Sequence, residues 1–276
     1  MTDLSKCAIH TFTNKPWSLA ECCAKYAAAG VGGVSVWRNT VAPEEGGVGV
    51  SESAKILADS GLAVPAYVRG GFFPAEDGAA RQQAIDHNKA MLDEAAAIGA
   101  EQVVLVVGAV PGMTLAEARR QVADGIGACL EHAQGVGVKL SIEPLHPMYA
   151  ADKSCVNRLA EARAICESIN SPMLGIAVDV YHVWWDPDLA DEIALAGRLG
   201  LLFGFHVCDW RVETRHLLTD RGLMGDGCID IRGIRKMVES AGFDGFNEVE
   251  VFSEQYWSMD QDEYLALIAQ RYREHC

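Results

Sequence analysis

The sequence predicts an α/β fold, a single-domain (β/α)8 TIM barrel over residues 1–276, on three observations. Eight short runs rich in apolar and β-branched residues alternate with Ala-rich stretches of helical period, the signature of repeated βα units. No Pro/Ser-rich linker or low-complexity tract divides the chain. The first strand runs into HTFTNKPW, without the Gly-rich turn that more often follows the first strand of an open doubly wound sheet.

In chain order the runs are KCAIHTF, GVGGVSVW, LAVPAYV, EQVVLVVGA, VKLSIEPL, LGIAVDVYH, LFGFHVCDW and FNEVEVF. Among the intervening helices, LAECCAKYAAAG and RQQAIDHNKAMLDEAAAIGA carry apolar residues at helical spacing and close on Gly, the residue favoured just past a helix C-terminus. The longest connection follows the seventh strand, from Arg211 to about Asp230, where barrel active-site loops belong.

Composition narrows the function classes. The 276 residues are 50% hydrophobic and carry a net charge of -15, which repels nucleic-acid backbones and anionic membranes. The opening segment MTDLSKCAIH lacks the apolar run of a signal peptide, and the expected location is cytoplasmic. Nine cysteines, an odd number without CxxC spacing, read as small buried hydrophobes and leave oxygen and nitrogen as metal donors.

Strand parity then selects the inward-facing residues. In a barrel strand alternate residues face the helices and the interior. Val138, Leu140 and Ile142 share the helix-facing side of strand five, which turns Ser141 and Glu143 inward. Ile176 and Val178 do the same for Gly175, Ala177 and Asp179 in strand six; Phe203, Phe205 and Val207 for Gly204 and His206 in strand seven; Val249 and Val251 for Glu248 and Glu250 in strand eight. Carboxylates and an imidazole converging at the C-terminal ends of four strands repel one another unless protonated or neutralised, and a divalent ion does this economically. The expected cofactor is one such ion, manganese first, with Mg, Co and Zn also suited to these ligands.

These residues resemble the xylose isomerase-like barrel superfamily, in its sugar phosphate isomerase/epimerase group. SIEPLHP, AVDVYHVWW, GFHVCDW, MGDGCIDI and VEVF occur in the family's order, and the likeness covers essentially the whole chain. Inosose isomerases and ketose 3-epimerases of this kind hold one metal with a Glu, an Asp, a His and a Glu from strands five to eight. The resemblance thus implies Glu143, Asp179, His206 and Glu250 as ligands, with Glu248 the alternative in strand eight. It implies Glu143 and Glu250 as the acid/base pair, His182 as a substrate contact, a carbohydrate substrate and a homo-oligomer. One departure stands out: ketose epimerases place a substrate-binding Arg six residues after the metal His, where this chain has Val212, with Arg211 and Arg215 nearby. Endonuclease IV shares the superfamily, but the acidic charge here opposes a DNA substrate.

The implied function is a metal-dependent isomerase or epimerase acting on a sugar, ketose or inositol-derived ketone through a metal-stabilised enediolate. A β-eliminating lyase on 3-keto-glycosides is the alternative, with His146 in EPLHP as base, and a non-catalytic sugar-binding or subunit barrel is the third reading. Asp209 is a candidate to orient His206 or a substrate hydroxyl. Trp184, Trp185, Trp210 and Trp257 offer aromatic faces to a sugar, and Arg69 and Arg215 are candidate substrate contacts, against a structural ion pair for Arg69.

Overall fold

A computed structural model describes residues 3–276. Eight parallel strands close in sequence order, β1 (Cys7–His10), β2 (Gly33–Trp37), β3 (Tyr67–Gly71), β4 (Gln102–Val106), β5 (Lys139–Ile142), β6 (Leu174–Asp179), β7 (Leu202–Val207) and β8 (Asn247–Val249), with β8 pairing back to β1. Around them run α1 (Leu19–Ala28), α2 (Val50–Ser60), α3 (Gly78–Ala97), α4 (Leu115–Val136), α5 (Leu159–Ile169), α7 (Leu189–Arg198), α8 (Ile231–Ser240) and α10 (Gln261–His275); α6 (Val180–Val183) and α9 (Glu254–Trp257) are single turns in the loops after β6 and β8. The (β/α)8 fold is therefore as the sequence predicts.

Local signals fix the helix ends. Ser18 and Glu21 form a reciprocal capping box at the start of α1, Asp77 and Thr114 cap α3 and α4, and such caps contribute about 1 kcal/mol each. The core is a shell between strands and helices: Ile9, Val34, Leu140, Ile142, Ile176, Val178, Phe205 and Val249 join Leu92, Ile126, Leu159, Ile193 and Ile268 in one buried cluster. A separate small cluster of Ala66, Val68, Val104 and Ala177 fills the barrel interior, with Trp37 packed on it. Eight of the nine cysteines are buried, and all are free thiols. Among the described residues no helix is long and apolar enough to cross a membrane.

One parity expectation fails, at Phe203. The β6–β7 register shifts between Ile176 and Ala177, so Leu202 and Gly204 are paired and Phe203 is the extra residue of a bulge. Its ring lies against Gly175, where an added Cβ would come within 2.5 Å, rather than beside Phe205. Beyond the bulge the ladder resumes with Asp179 opposite His206, and the inward residues named above keep their faces.

Candidate metal centre

Glu143 follows β5 directly, Asp179 ends β6, His206 is the penultimate residue of β7 and Glu250 follows β8. The ladders set Asp179 opposite His206 and His206 opposite Glu248, so the side chains rise at one level of the barrel. One ligand atom from each of Glu143, Asp179, His206 and Glu250 lies within 4.8 Å of the other three, and all four residues are buried. Ligands bound at about 2.0–2.2 Å span up to roughly 4.4 Å across an ion, so a small contraction of this set accommodates one. The donor set, three carboxylates and an imidazole, is suited to a divalent cation.

His206 is oriented by Glu143 and lies between carboxylates. Its Nδ1 is 2.8 Å from Glu143 Oε1 and 3.8 Å from Glu250 Oε2, and its Nε2 faces Glu248 at 3.9 Å. Glu248 lies outside the four-residue set: it accepts from Ser35 Oγ at 2.5 Å and sits 3.4 Å from His10 Nε2. His10 Nδ1 in turn is 3.1 Å from Glu250 Oε1. At 3.9 Å Glu248 makes no hydrogen bond to His206 Nε2, which has no hydrogen-bond partner among the described residues.

Burial and crowding displace the protonation equilibria. Burial pushes Asp179 up to about 7, with Arg221 opposing the rise. His206 is driven down by burial but held at about 10 by its bond to Glu143 and the charges of Glu248 and Glu250. Burial also disfavours the Glu250 carboxylate, yet His10 and Arg221 keep it well below the usual range. His182 lies well below its ordinary value because it is buried and beside Arg221.

Arg221 is the residue that sequence reasoning missed. Its Nη1 donates to Asp179 Oδ2 at 2.9 Å and Glu250 Oε2 at 3.0 Å, and the guanidinium lies over Tyr181 and Phe252. Counting six residues from the metal His led to Val212, which is 80% exposed; the chain makes an excursion and returns an arginine nine positions later. The return is built by Asp209, whose carboxylate accepts from the backbone N–H of Trp210, Gly225, Gly227 and Ile229. At Gly227 a Cβ would lie 1.9 Å from the Trp210 carbonyl, so MGDG is the close approach that shapes this loop.

Above these four residues opens a cavity of about 600 Å³, lined near its floor by Glu143, His182, Arg221 and Glu250. Phe12, Trp37, Phe252 and Trp257 form one wall, their ring centroids 4.8–5.4 Å apart between Phe12 and the other three. His182 Nδ1 lies 3.2 Å from the His146 N–H, and its Nε2 lies 3.1 Å from Arg221 Nη2, a group that can only donate, and 3.5 Å from Asp179 Oδ2. Arg69 also lines the cavity.

Several candidates do not. His146 accepts from Met148 N at Nδ1 and packs its ring on Trp210 at 4.8 Å, capping the turn that follows instead of serving as a base in the cavity. Asp209 is spent on the loop described above. Trp184 packs behind the site on Trp210. Arg215, 60% exposed, is tied to Asp220 and Gln255. Of the four tryptophans singled out in the sequence, only Trp257 lines the cavity; Trp37, Phe12 and Phe252 complete the wall. His10 was legible by the same parity, since Cys7 and Ile9 join the outer core and leave Ala8 and His10 facing inward.

Known proteins share the sequence pattern and the fold. The sequence profile of the xylose isomerase-like TIM barrel family matches residues 23–274. The crystal structure of protein SMc04130 from Sinorhizobium meliloti 1021 is 46% identical, superposes with a TM-score of 0.95 and covers 99% of each chain. An inosose isomerase from Halalkalibacterium halodurans is 24% identical over 196 residues, 70% of this chain and 67% of that protein. The IolI protein, whose crystal structure holds a zinc atom, shares the fold at 20% identity and a TM-score of 0.84, over 98% of this chain and 97% of its own.

Proposed function

Starting from the family to which this chain belongs, that of xylose isomerase-like TIM barrels, we propose that it is a divalent-metal-dependent isomerase or epimerase of a sugar, ketose or inositol-derived ketone. The observation that carries the proposal is the buried set Glu143, Asp179, His206 and Glu250 at the floor of a cavity. The inosose isomerase likeness supports a polyhydroxylated ketone as substrate. Zinc in IolI supports a divalent ion, with manganese the first expectation here.

Bound there, a divalent ion would polarise the substrate carbonyl and stabilise the negative charge that develops as the neighbouring C–H proton leaves. The proton itself is the work of the chain's carboxylates. Glu143 and Glu250 both line the cavity, so one removes the proton and the other returns it to the opposite face of the planar enediolate. His10 at 3.1 Å and Arg221 at 3.0 Å from Glu250 keep that group ionised and ready to accept. His182, which lines the cavity, contacts a substrate hydroxyl, and the aromatic wall covers the C–H face of the ring and excludes water. His146, the base named for elimination, is turned onto Trp210 and does not line the cavity.

The test is solvent-deuterium exchange at the carbon beside the carbonyl, screened over inososes and ketoses. Glu143→Gln is expected to slow exchange by about 10²–10⁴-fold, the usual contribution of a general base, with metal content measured on the same sample. Unchanged exchange in the variant removes Glu143 from the reaction.

A further inference from the structure

We propose that the cavity takes a substrate bearing a carboxylate, held by Arg69 at a subsite above the metal ligands; this deepens the isomerase reading and rests on it for the sugar portion. Arg69 is presented by construction. The β3–β4 register shifts between Val68 and Gly70, which makes Arg69 the extra residue of a bulge, and bulges beside active sites re-aim a side chain. The bulge is clamped by buried Asn88 of α3, which accepts from the N–H of Gly71 at 2.7 Å and donates to its carbonyl at 2.8 Å. Gly71 has φ +106, and a Cβ there would lie 2.0 Å from the Val106 carbonyl oxygen. Phe72 follows in the left-handed region at φ 55, its ring 4.9 Å beneath the Arg69 guanidinium. Both residues line the cavity.

The other large cations of the cavity have occupations. Arg38 is paired with Glu44, Glu45 and Glu94, Arg221 with Asp179 and Glu250, and Lys153 with Asp152; Lys15 lies over Trp257 at 4.5 Å. Among the described residues Arg69 has neither an ion pair nor a hydrogen bond to a carboxylate, and Glu45 and Glu143 act on it only through space. In a chain of net charge -15, an arginine kept without a partner on a cavity wall is a site for an incoming anion. A guanidinium stacked on one face leaves its edge free, and that edge offers two parallel N–H donors to a carboxylate. One fork carrying one charge matches a carboxylate better than a phosphate dianion. A cavity of about 600 Å³ has room for this group beyond a single ring.

The experiment is calorimetric titration of the metal-loaded protein with pairs differing only at C6: D-glucuronate and D-glucose, D-galacturonate and D-galactose, D-mannuronate and D-mannose. In at least one pair the acid is expected to bind tenfold or more tighter, with the preference falling below about twofold in Arg69→Gln. Arg69 is exposed, so this variant should keep its fold, checked by unchanged melting and metal content. The inference is overturned if no acid outbinds its neutral partner, if the preference survives Arg69→Gln, or if inorganic phosphate displaces the acid as well as a second carboxylate does. Binding is read without turnover, so failure of the isomerase reading would appear separately, as absent deuterium exchange.

Discussion

Two arcs of this barrel, β3–β4 and β5–β8, put opposite chemistry on their inward faces. Val68 of β3 and Val104 of β4 pack inside the barrel with Ala66 and Ala177, whereas the ends of β5 to β8 deliver three carboxylates and an imidazole to one point. The first half returns as walls: Phe12 and Phe72 follow β1 and β3, Trp37 ends β2, Arg69 bulges from β3, and all four line the cavity above that point. A parallel barrel thus lets one arc hold an ion while the other arc shapes what binds to it, and substitutions in the two arcs should have separable consequences.

The largest expected effect lies where the acidic arc is neutralised. Replacing Arg221 by Met leaves Asp179 and Glu250 buried without their guanidinium, and breaking such a buried pair costs about 3–5 kcal/mol. Metal-free Arg221→Met should melt on the order of 10 °C below the metal-free parent, and added Mn should recover most of the loss. An equal loss with and without Mn would mean that Arg221 and the ion do not share the same carboxylates.

A smaller effect follows from protons held in the same arc. Asp179, raised from 3.8 to about 7, and His206, raised from 6.5 to about 10, bind protons in the metal-free folded chain that the unfolded chain has released. Their contribution is present below the unfolded values and is lost as pH rises through the folded ones. Metal-free protein should therefore lose melting temperature between pH 6 and 9, by on the order of 5 °C, while metal-loaded protein holds steady. A metal-free melting temperature that rises over this window contradicts the assignment.

The smallest effect belongs to the wall. Trp257→Leu removes an aromatic face without touching a ligand and should raise KM about tenfold with kcat within about twofold, because it removes binding made equally in ground and transition states. A drop in kcat instead would mean that the Trp257 face acts mainly in the transition state and not in uniform binding.

The acidic arc was legible in the sequence because strands five to eight have clean apolar faces, so that each inward Asp, Glu or His stands out against Val, Ile and Phe. Choosing Glu250 over Glu248 needed the resemblance, since both face inward and their separation becomes visible only with Ser35 and His10 in place. Arg221 and the true role of Asp209 were not legible, because a loop has no periodicity to report where it returns. Phe203 misled for a related reason: a bulge adds one residue and inverts the parity before it. Arg69 was named, but whether it had an ion-pair partner depends on contacts from β3 to its surroundings that no local pattern encodes.

The central claim, that the four residues hold one ion, is tested most directly by metal content per chain, measured by elemental analysis on the protein and on Glu250→Ala after identical washing. The account predicts one divalent ion per chain in the first and its loss in the second. No ion in either protein after incubation with Mn, or equal retention in both, would contradict it.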